Sequence, residues 1–298
     1  MVNRFGAPHT VQKLNCVKGF LDSWAIAMSK QGQFTKRYID AFSGSGHFEF
    51  ASSGEPDSAQ ASLLEEAEIS REFIDGSALL ALDVDPPFSR IDLIEKDRSI
   101  ASELRATVDE AGAKNIVIHV EDANIALPKI CGEFNPMDRS VVFLDPFGAQ
   151  LSWKTVSSIA ATEAADVWYL LPVSIINRMM ARDPKKIPDG WRARISDCFG
   201  TTDWSDRFYA VEEKTDLFGE ISETSKTGGL IAVEEFFIER LRTLFPRVAG
   251  NTVRLLSPNK KNHIFSLCFA VANPKGNAPD IALRIANSVI KKWEHPNG

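Results

Sequence analysis

Val141-Val142-Phe143-Leu144-Asp145-Pro146-Phe147-Gly148 is the stretch on which the reading of this chain turns. Four apolar residues stand in a row and stop abruptly at an acid and a proline. The run is too short for a buried helix and is bounded by breakers, so it reads as a strand buried on both faces of a parallel sheet. Proline has no amide hydrogen, so Pro146 ends the strand ladder and leaves its own carbonyl free. The Asp145 carboxylate and the Pro146 carbonyl can then converge on one small volume, an arrangement suited to an amine with two hydrogens. Phe147 offers a flat face for stacking and Gly148 allows close approach. A plain Asp-Pro turn closing a buried strand reads the same letters equally well.

Working outward, residues 37–41, 91–95, 116–120 and 167–172 form similar compact apolar runs, most of them ending in an acid or a turn residue. Helical periodicity lies between several of them. Ile100, Leu104 and Val108 recur four apart within 99–111, and Leu14, Val17, Leu21 and Trp24 make one apolar stripe within 11–29. Strands alternating with helices predict a mostly parallel sheet covered on both faces. Such sheets bind ligands at the carboxyl ends of their strands. Residues 252–256 and 263–272 read as two further strands joined by a turn at 258–262, and a helix over 280–293 closes the chain. The expectation is one domain over 1–298 with two inserts. One spans about 47–90; the other, 182–230, breaks the alternation and reads as a cap or loop region over the site face.

The other strand ends carry the candidate chemistry. The first runs into Asp40-Ala41-Phe42-Ser43-Gly44-Ser45-Gly46, a GxG that lacks the third glycine of a dinucleotide loop, because position 49 is Glu. A tight turn and a cofactor loop explain it equally well; a P-loop is excluded, since no Gly-Lys-Ser/Thr follows. Glu95 ends the second strand, where a carboxylate can accept both ribose hydroxyls of a nucleoside. It comes 49 residues after Gly46, against about 20 in a nicotinamide-binding fold, so that reading needs an insertion. A solvated charge is the plain alternative. Asp122, followed by Ala123, ends the third strand and suits either the amine of an adenine ring or a helix N-cap.

Bulk properties narrow the classes. The chain has 298 residues, 44% of them hydrophobic and 25% charged, enough for a large core without staples. A net charge of −6 argues against loose nucleic-acid binding through a basic body and leaves room for a local basic patch. Cys16, Cys131, Cys198 and Cys268 form no CxxC pair, which favours free buried thiols over a metal site. The first ten residues hold no apolar signal core and no apolar run reaches membrane-spanning length, so the expected location is cytoplasmic.

The segments YIDAFSGSG, IDLIEKD, IHVEDAN and VVFLDPFG, in that order, resemble the class I S-adenosylmethionine-dependent methyltransferases. The closer likeness is to the bacterial three-Cys-motif partner protein family, through HTVQKL, GEPDSAQASLLE and the late VANPKG. The resemblance implies a Rossmann-like seven-stranded sheet with a terminal antiparallel hairpin, and S-adenosylmethionine as cofactor. It implies that Asp40, Phe42, Gly44 and Gly46 flank the methionine part, that Glu95 holds the ribose, and that Asp122 beside Ala123 holds the adenine. Asp145-Pro146-Phe147 takes the place of the Asp/Asn-Pro-Pro-Tyr/Phe motif of amino methyltransferases, with one proline missing, so neither the base nor the type of nucleic acid is fixed.

Two functional expectations follow. The first is methyl transfer to an exocyclic amine of a nucleobase in DNA or RNA, with Asp145, Pro146 and Phe147 as catalytic residues. The alternative is a methyltransferase-like binding partner of a second, three-cysteine protein, without transfer activity of its own. Lesser candidates are Lys185, Lys186, Arg192 and Arg194 as phosphate contacts or a solvated loop, and Asn177 and Arg178 as lining of the substrate side. Thr10 reads as a helix cap beside His9 and Lys13, His47 as an exposed turn residue, and His119 as structural.

Overall fold

The computed structural model describes residues 8–44, 77–146, 148–216, 219–256 and 263–294. Gly46, His47, Phe147, the first part of the 47–90 insert and the 258–262 turn lie outside the described residues.

Each apolar run of the alternating region is a strand: β1 (Thr35–Asp40), β2 (Arg90–Ile94), β3 (Ile116–His119), β4 (Asp138–Leu144) and β5 (Ala165–Leu171). After β5 come a hairpin of β6 (Tyr209–Asp216) and β7 (Gly219–Lys226), then β8 (Arg247–Val248), β9 (Val253–Leu256) and β10 (His263–Val271). The main sheet runs β3-β2-β1-β4-β5-β10, and β8 and β9 share the outer edge of β10. The first five strands are mutually parallel, and β10 is antiparallel to β5, β8 and β9. This is a Rossmann-like sheet with a terminal antiparallel strand, the fold the sequence predicts. The order reverses direction beside β1, which places the topological switch between β1 and β4.

Helices cover both faces. On one lie α1 (Pro8–Ser29), the short α2 (Ser77–Leu80), α3 (Arg98–Glu110) and, at the chain's end, α10 (Ala278–Glu294). Phe20 of α1 meets the Trp168 ring edge-on at 5.4 Å and Phe269 at 4.9 Å, and all three side chains are fully buried. Burying each such ring contributes about 1.5–3 kcal/mol, which makes this trio a main fixing point of α1 on the sheet. On the other face lie α4 (Ala123–Gly132), α5 (Trp153–Ala160), α6 (Val173–Met179) and α9 (Leu230–Leu241). Buried Glu234 ties α9 to the sheet: it accepts from Thr252, from Arg254 in a two-nitrogen grip and from Ser266.

Two expectations are corrected. Helix α1 begins at Pro8, so Thr10 falls inside its first turn and is not the N-cap. Residues 182–230 are not a loop: they hold a 3-10 turn (Pro184–Lys186), α7 (Asp189–Phe199), α8 (Trp204–Phe208) and the β6–β7 hairpin. Phe199 and Phe208 pack on Phe236 of α9 at 5.0 and 5.6 Å, so this segment extends the core of its face. Gly200 ends α7 at φ 66°, where a side chain would also strike the Trp153 ring.

Candidate functional site

Asp40, Glu95, Asp122 and Asp145 stand at the carboxyl edge of β1, β2, β3 and β4, which are consecutive neighbours in the order β3-β2-β1-β4. Register fixes their alignment: Asp40 lies opposite Leu93 of β2 and Phe143 of β4, and Ile94 lies opposite His119. At about 4.8 Å per strand the row from Asp122 to Asp145 spans roughly 14 Å. That is the reach of an extended nucleoside joined to an amino acid.

Local bonding shows what each residue does. Asp40 is fully buried, with one carboxylate oxygen accepting from the Phe42 amide (3.1 Å) and the other from the Ser77 hydroxyl (2.6 Å). It braces the loop after β1 from beneath. The Tyr38 phenol lies below it, and burial, followed by the Asp40 and Asp145 charges, pushes its pKa well above the ordinary tyrosine value. Ser43, fully buried, takes over where the ladder stops. Its amide donates to the Ile94 carbonyl (3.0 Å), its hydroxyl accepts from the Ile94 amide (3.1 Å) and donates to the Asp40 carbonyl (3.1 Å). The loop is thereby sewn to β2, and Gly44 follows at φ 59°, a left-handed conformation that excludes most side chains. Sequence reasoning passed over Ser43; its place between the strand acid and the first glycine was the available signal.

Glu95 is half-buried. Its amide donates to the His119 carbonyl and its carboxylate accepts from the Asp97 amide (2.8 Å), which stiffens the turn into α3. Asp97 is the N-cap of α3. Asp122 is the N-cap of α4, accepting from the Asn124 amide at 2.9 Å, with Ala123 buried behind it. Asn124, absent from the sequence-predicted set, bridges the loops after β3 and β4. It donates to the Gln150 carbonyl (2.8 Å) and accepts from the Ser152 amide (2.8 Å) and the Thr155 hydroxyl (2.9 Å).

Asp145 and Pro146 follow β4 directly and are buried, Asp145 to 3% exposure. Gly148 sits at φ 67° with its Cα side against Ile175 of α6. The turn after β4 thus leans on the helix that follows β5.

Asn177 of α6 is half-buried: its carbonyl and side-chain oxygen accept from Lys226 Nζ at 2.6 and 2.7 Å, and Met180 O accepts at 2.9 Å. Burial lowers this lysine to about 8. Arg178 is half-buried and engaged. Arg192 is likewise committed, donating to the Pro184 carbonyl at 2.7 Å. Arg182, Lys185, Lys186 and Arg194 are exposed, as is Trp191 at 46%.

His119 Nε2 donates to the buried Asp92 carboxylate at 2.9 Å inside a strand network, the structural role expected of it. Burial works against the charged Asp92, but hydrogen bonds from His119, Arg90 and Arg37 outweigh it and hold its carboxyl below the usual value. The four cysteines are buried, and burial pushes Cys16, Cys131 and Cys198 up to about 12. Among the described residues no helix is long and apolar enough to cross a membrane.

No family model and no curated protein matches this chain. Solved structures do. An O-methyltransferase of tomaymycin synthesis from Streptomyces achromogenes, solved with S-adenosylmethionine, aligns over 76% of this chain and 82% of its own at 17% identity and TM-score 0.38. An S-adenosylmethionine-dependent methyltransferase from Clostridium acetobutylicum aligns over 85% and 91% at 10% identity and TM-score 0.35. An rRNA methylase from Streptococcus thermophilus aligns over 71% and 95% at 9% identity and TM-score 0.31. The fold assignment rests on the strand order and directions described above.

Proposed function

We propose that this chain is an S-adenosylmethionine-dependent methyltransferase acting on an exocyclic amine of a nucleobase in DNA or RNA. The observation that carries the reading is the row Asp122, Glu95, Asp40 and Asp145 on four neighbouring strands, beside the switch point. The donor set suits the cofactor. Glu95 offers a partly exposed carboxylate for ribose hydroxyls, Asp122 a carboxylate for the adenine amine, and the left-handed turn at Gly44 leaves space for the methionine portion. Asp40 acts through the loop that it braces.

When bound, S-adenosylmethionine supplies a methyl group on a sulfonium centre that leaves as a neutral thioether. The protein's part is positioning, which can supply about 7–11 kcal/mol of a two-reactant barrier. The Asp145 carboxylate and the Pro146 carbonyl accept the two hydrogens of the entering amine and turn its lone pair toward the methyl carbon. The nitrogen that receives the methyl group would lose its proton to solvent or to Asp145. Phe147 stacks the base. A duplex substrate has to present that base flipped out of the helix. Exposed Trp191 supplies a stacking platform, and the exposed Arg182, Lys185, Lys186 and Arg194 of the same segment supply phosphate contacts on an acidic protein.

A transfer assay with labelled S-adenosylmethionine tests the reading on total RNA, tRNA and DNA lacking prior methylation. The wild-type protein labels one of these, and Asp145→Ala loses at least 100-fold in rate, on the order of 2.7 kcal/mol, with cofactor affinity kept. Equal labelling by the variant removes Asp145 from the mechanism. The deep burial of Asp145 favours a second reading: a methyltransferase-like subunit that binds a three-cysteine partner and transfers nothing. Stable co-purification with that partner and no labelling of any nucleic acid would select it.

A further inference from the structure

A cavity of about 710 Å³ lies at the opposite edge of the sheet and shares no residue with the site above. It opens between the second half of α1, the first half of α10 and the first residues of β4 and β5. Its size falls within the 300–1,000 Å³ typical of small-molecule sites. Met28, Phe34, Ile281 and Ile285 give it apolar walls.

Two complementary charged groups face this space. Asp166 of β5 is only 9% exposed; its Oδ2 accepts from Trp24 Nε1 at 2.7 Å, and its Oδ1 meets no partner among the described residues. Arg139 of β4 lies flat on Phe34, 4.1 Å from the ring centre, and only its Nη1 is bonded, to the carbonyls of Pro136 and Asp138. Its Nε and Nη2 have no partner among the described residues. No ion pair within 4 Å joins Asp166 to Arg139. A carboxylate and a guanidinium from adjacent strands thus line one partly apolar cavity without pairing, each with bonding capacity left over. An apolar ligand would leave both charges desolvated, and an inorganic ion would satisfy only one of them.

We propose that this cavity binds an α-amino acid with an apolar side chain, its ammonium on Asp166, its carboxylate on Arg139 and its side chain against Met28, Ile281 and Ile285. The arginine fork matches a carboxylate in shape as well as charge. The ammonium supplies the counter-charge that burial denies Asp166. This site is independent of the methyl-transfer reading.

Ionisation of Asp166 gives the binding a pH signature. Burial raises this carboxyl to about 7, against the hydrogen bond from Trp24 and the Arg139 charge, which both lower it. The groups facing it are Arg139 from β4, Trp24 from α1 and the exposed Glu163–Lys275 pair at the rim; α10 contributes Ala278, Ile281, Ala282 and Ile285. Cys131, raised to about 12, is silent in this range. Only the ionised carboxylate holds an ammonium, so affinity falls roughly tenfold from pH 8 to pH 6.

Titration calorimetry on the whole chain tests this with L-leucine, L-methionine and L-phenylalanine. The controls are 4-methylpentanoate, which is leucine without its ammonium, and 3-methylbutylamine, which is leucine without its carboxylate. One amino acid binds with Kd of about 1 mM or tighter at pH 8, both truncated analogues bind at least tenfold more weakly, and binding weakens about tenfold at pH 6. Asp166→Asn removes the pH effect together with most of the affinity. The wild-type pH series and the two analogues stand without that variant, should it fail to fold. No heat with any of the three amino acids up to about 10 mM overturns the proposal. So does equal binding of leucine and its two analogues.

Discussion

Asp166→Asn separates the cost of a buried charge from everything else at that position. Asparagine keeps the shape and the acceptor for Trp24 Nε1, which donates to Asp166 at 2.7 Å, and stays neutral at every pH. In the folded protein burial raises the Asp166 carboxyl from 3.8 to about 7, so between those values the folded state keeps a proton that the unfolded chain has released. Stability then falls as pH rises, by about 1.4 kcal/mol per pH unit, and levels off above the folded value. From pH 5 to pH 8 this one group removes about 2.5 kcal/mol from the wild-type unfolding free energy. The Asn variant lacks that loss. Urea unfolding followed by tryptophan fluorescence at pH 5, 6, 7 and 8 measures the difference directly, and Trp24 reports from beside the group. The variant gains on the wild type by about 2.5 kcal/mol across the series, mostly between pH 5 and 7. Parallel curves for the two proteins would refute the reasoning, because they would mean that Asp166 is as well solvated folded as unfolded.

Other positions give equally direct outcomes. Gly200→Ala places a Cβ 2.0 Å from the Trp153 ring at a backbone with φ 66°, so it costs about 3 kcal/mol or more, read as a lowered Tm of the purified variant. Asn124→Ala removes three bonds that hold the loops after β3 and β4 together. It lowers stability by about 1–3 kcal/mol and weakens cofactor binding by calorimetry, whereas an affinity equal to wild type would show that the bridge does not shape the site. The double variant Lys185→Glu with Lys186→Glu binds a fluorescent single-stranded oligonucleotide more weakly and with a shallower salt dependence, by about 0.7 in the log–log slope per lost phosphate contact. An unchanged slope in anisotropy titrations would make this patch an ordinary solvated surface.

The alternating strands and helices were legible because each strand is a short apolar run and most are stopped by an acid or a turn residue, as in Leu144-Asp145-Pro146, and these breaks are local. The capping role of Asp122 was legible for the same reason. Residues 182–230 read as a cap or loop region because their helices are short; Phe199 and Phe208 gain meaning only against Phe236, which comes later in the chain. Asn124 carries nothing in the sequence that marks it, since its partners Gln150 and Ser152 are brought near by sheet pairing, and the bond between Ser43 and Ile94 likewise exists only in the folded sheet. Asp166 shows the limit most clearly. In sequence it is a polar residue at the start of a strand, and its burial exists only once Trp24, 142 positions earlier, folds over it.

The central claim is that the strand edge carrying Asp122, Glu95 and the loop braced by Asp40 holds S-adenosylmethionine. Titration calorimetry of the purified chain with S-adenosylmethionine and with S-adenosylhomocysteine tests it most directly. The account predicts one site per chain with Kd on the order of 1–100 μM for either compound, weakened about tenfold or more in Glu95→Ala. Absence of binding by both compounds, or undiminished binding by Glu95→Ala, would contradict it.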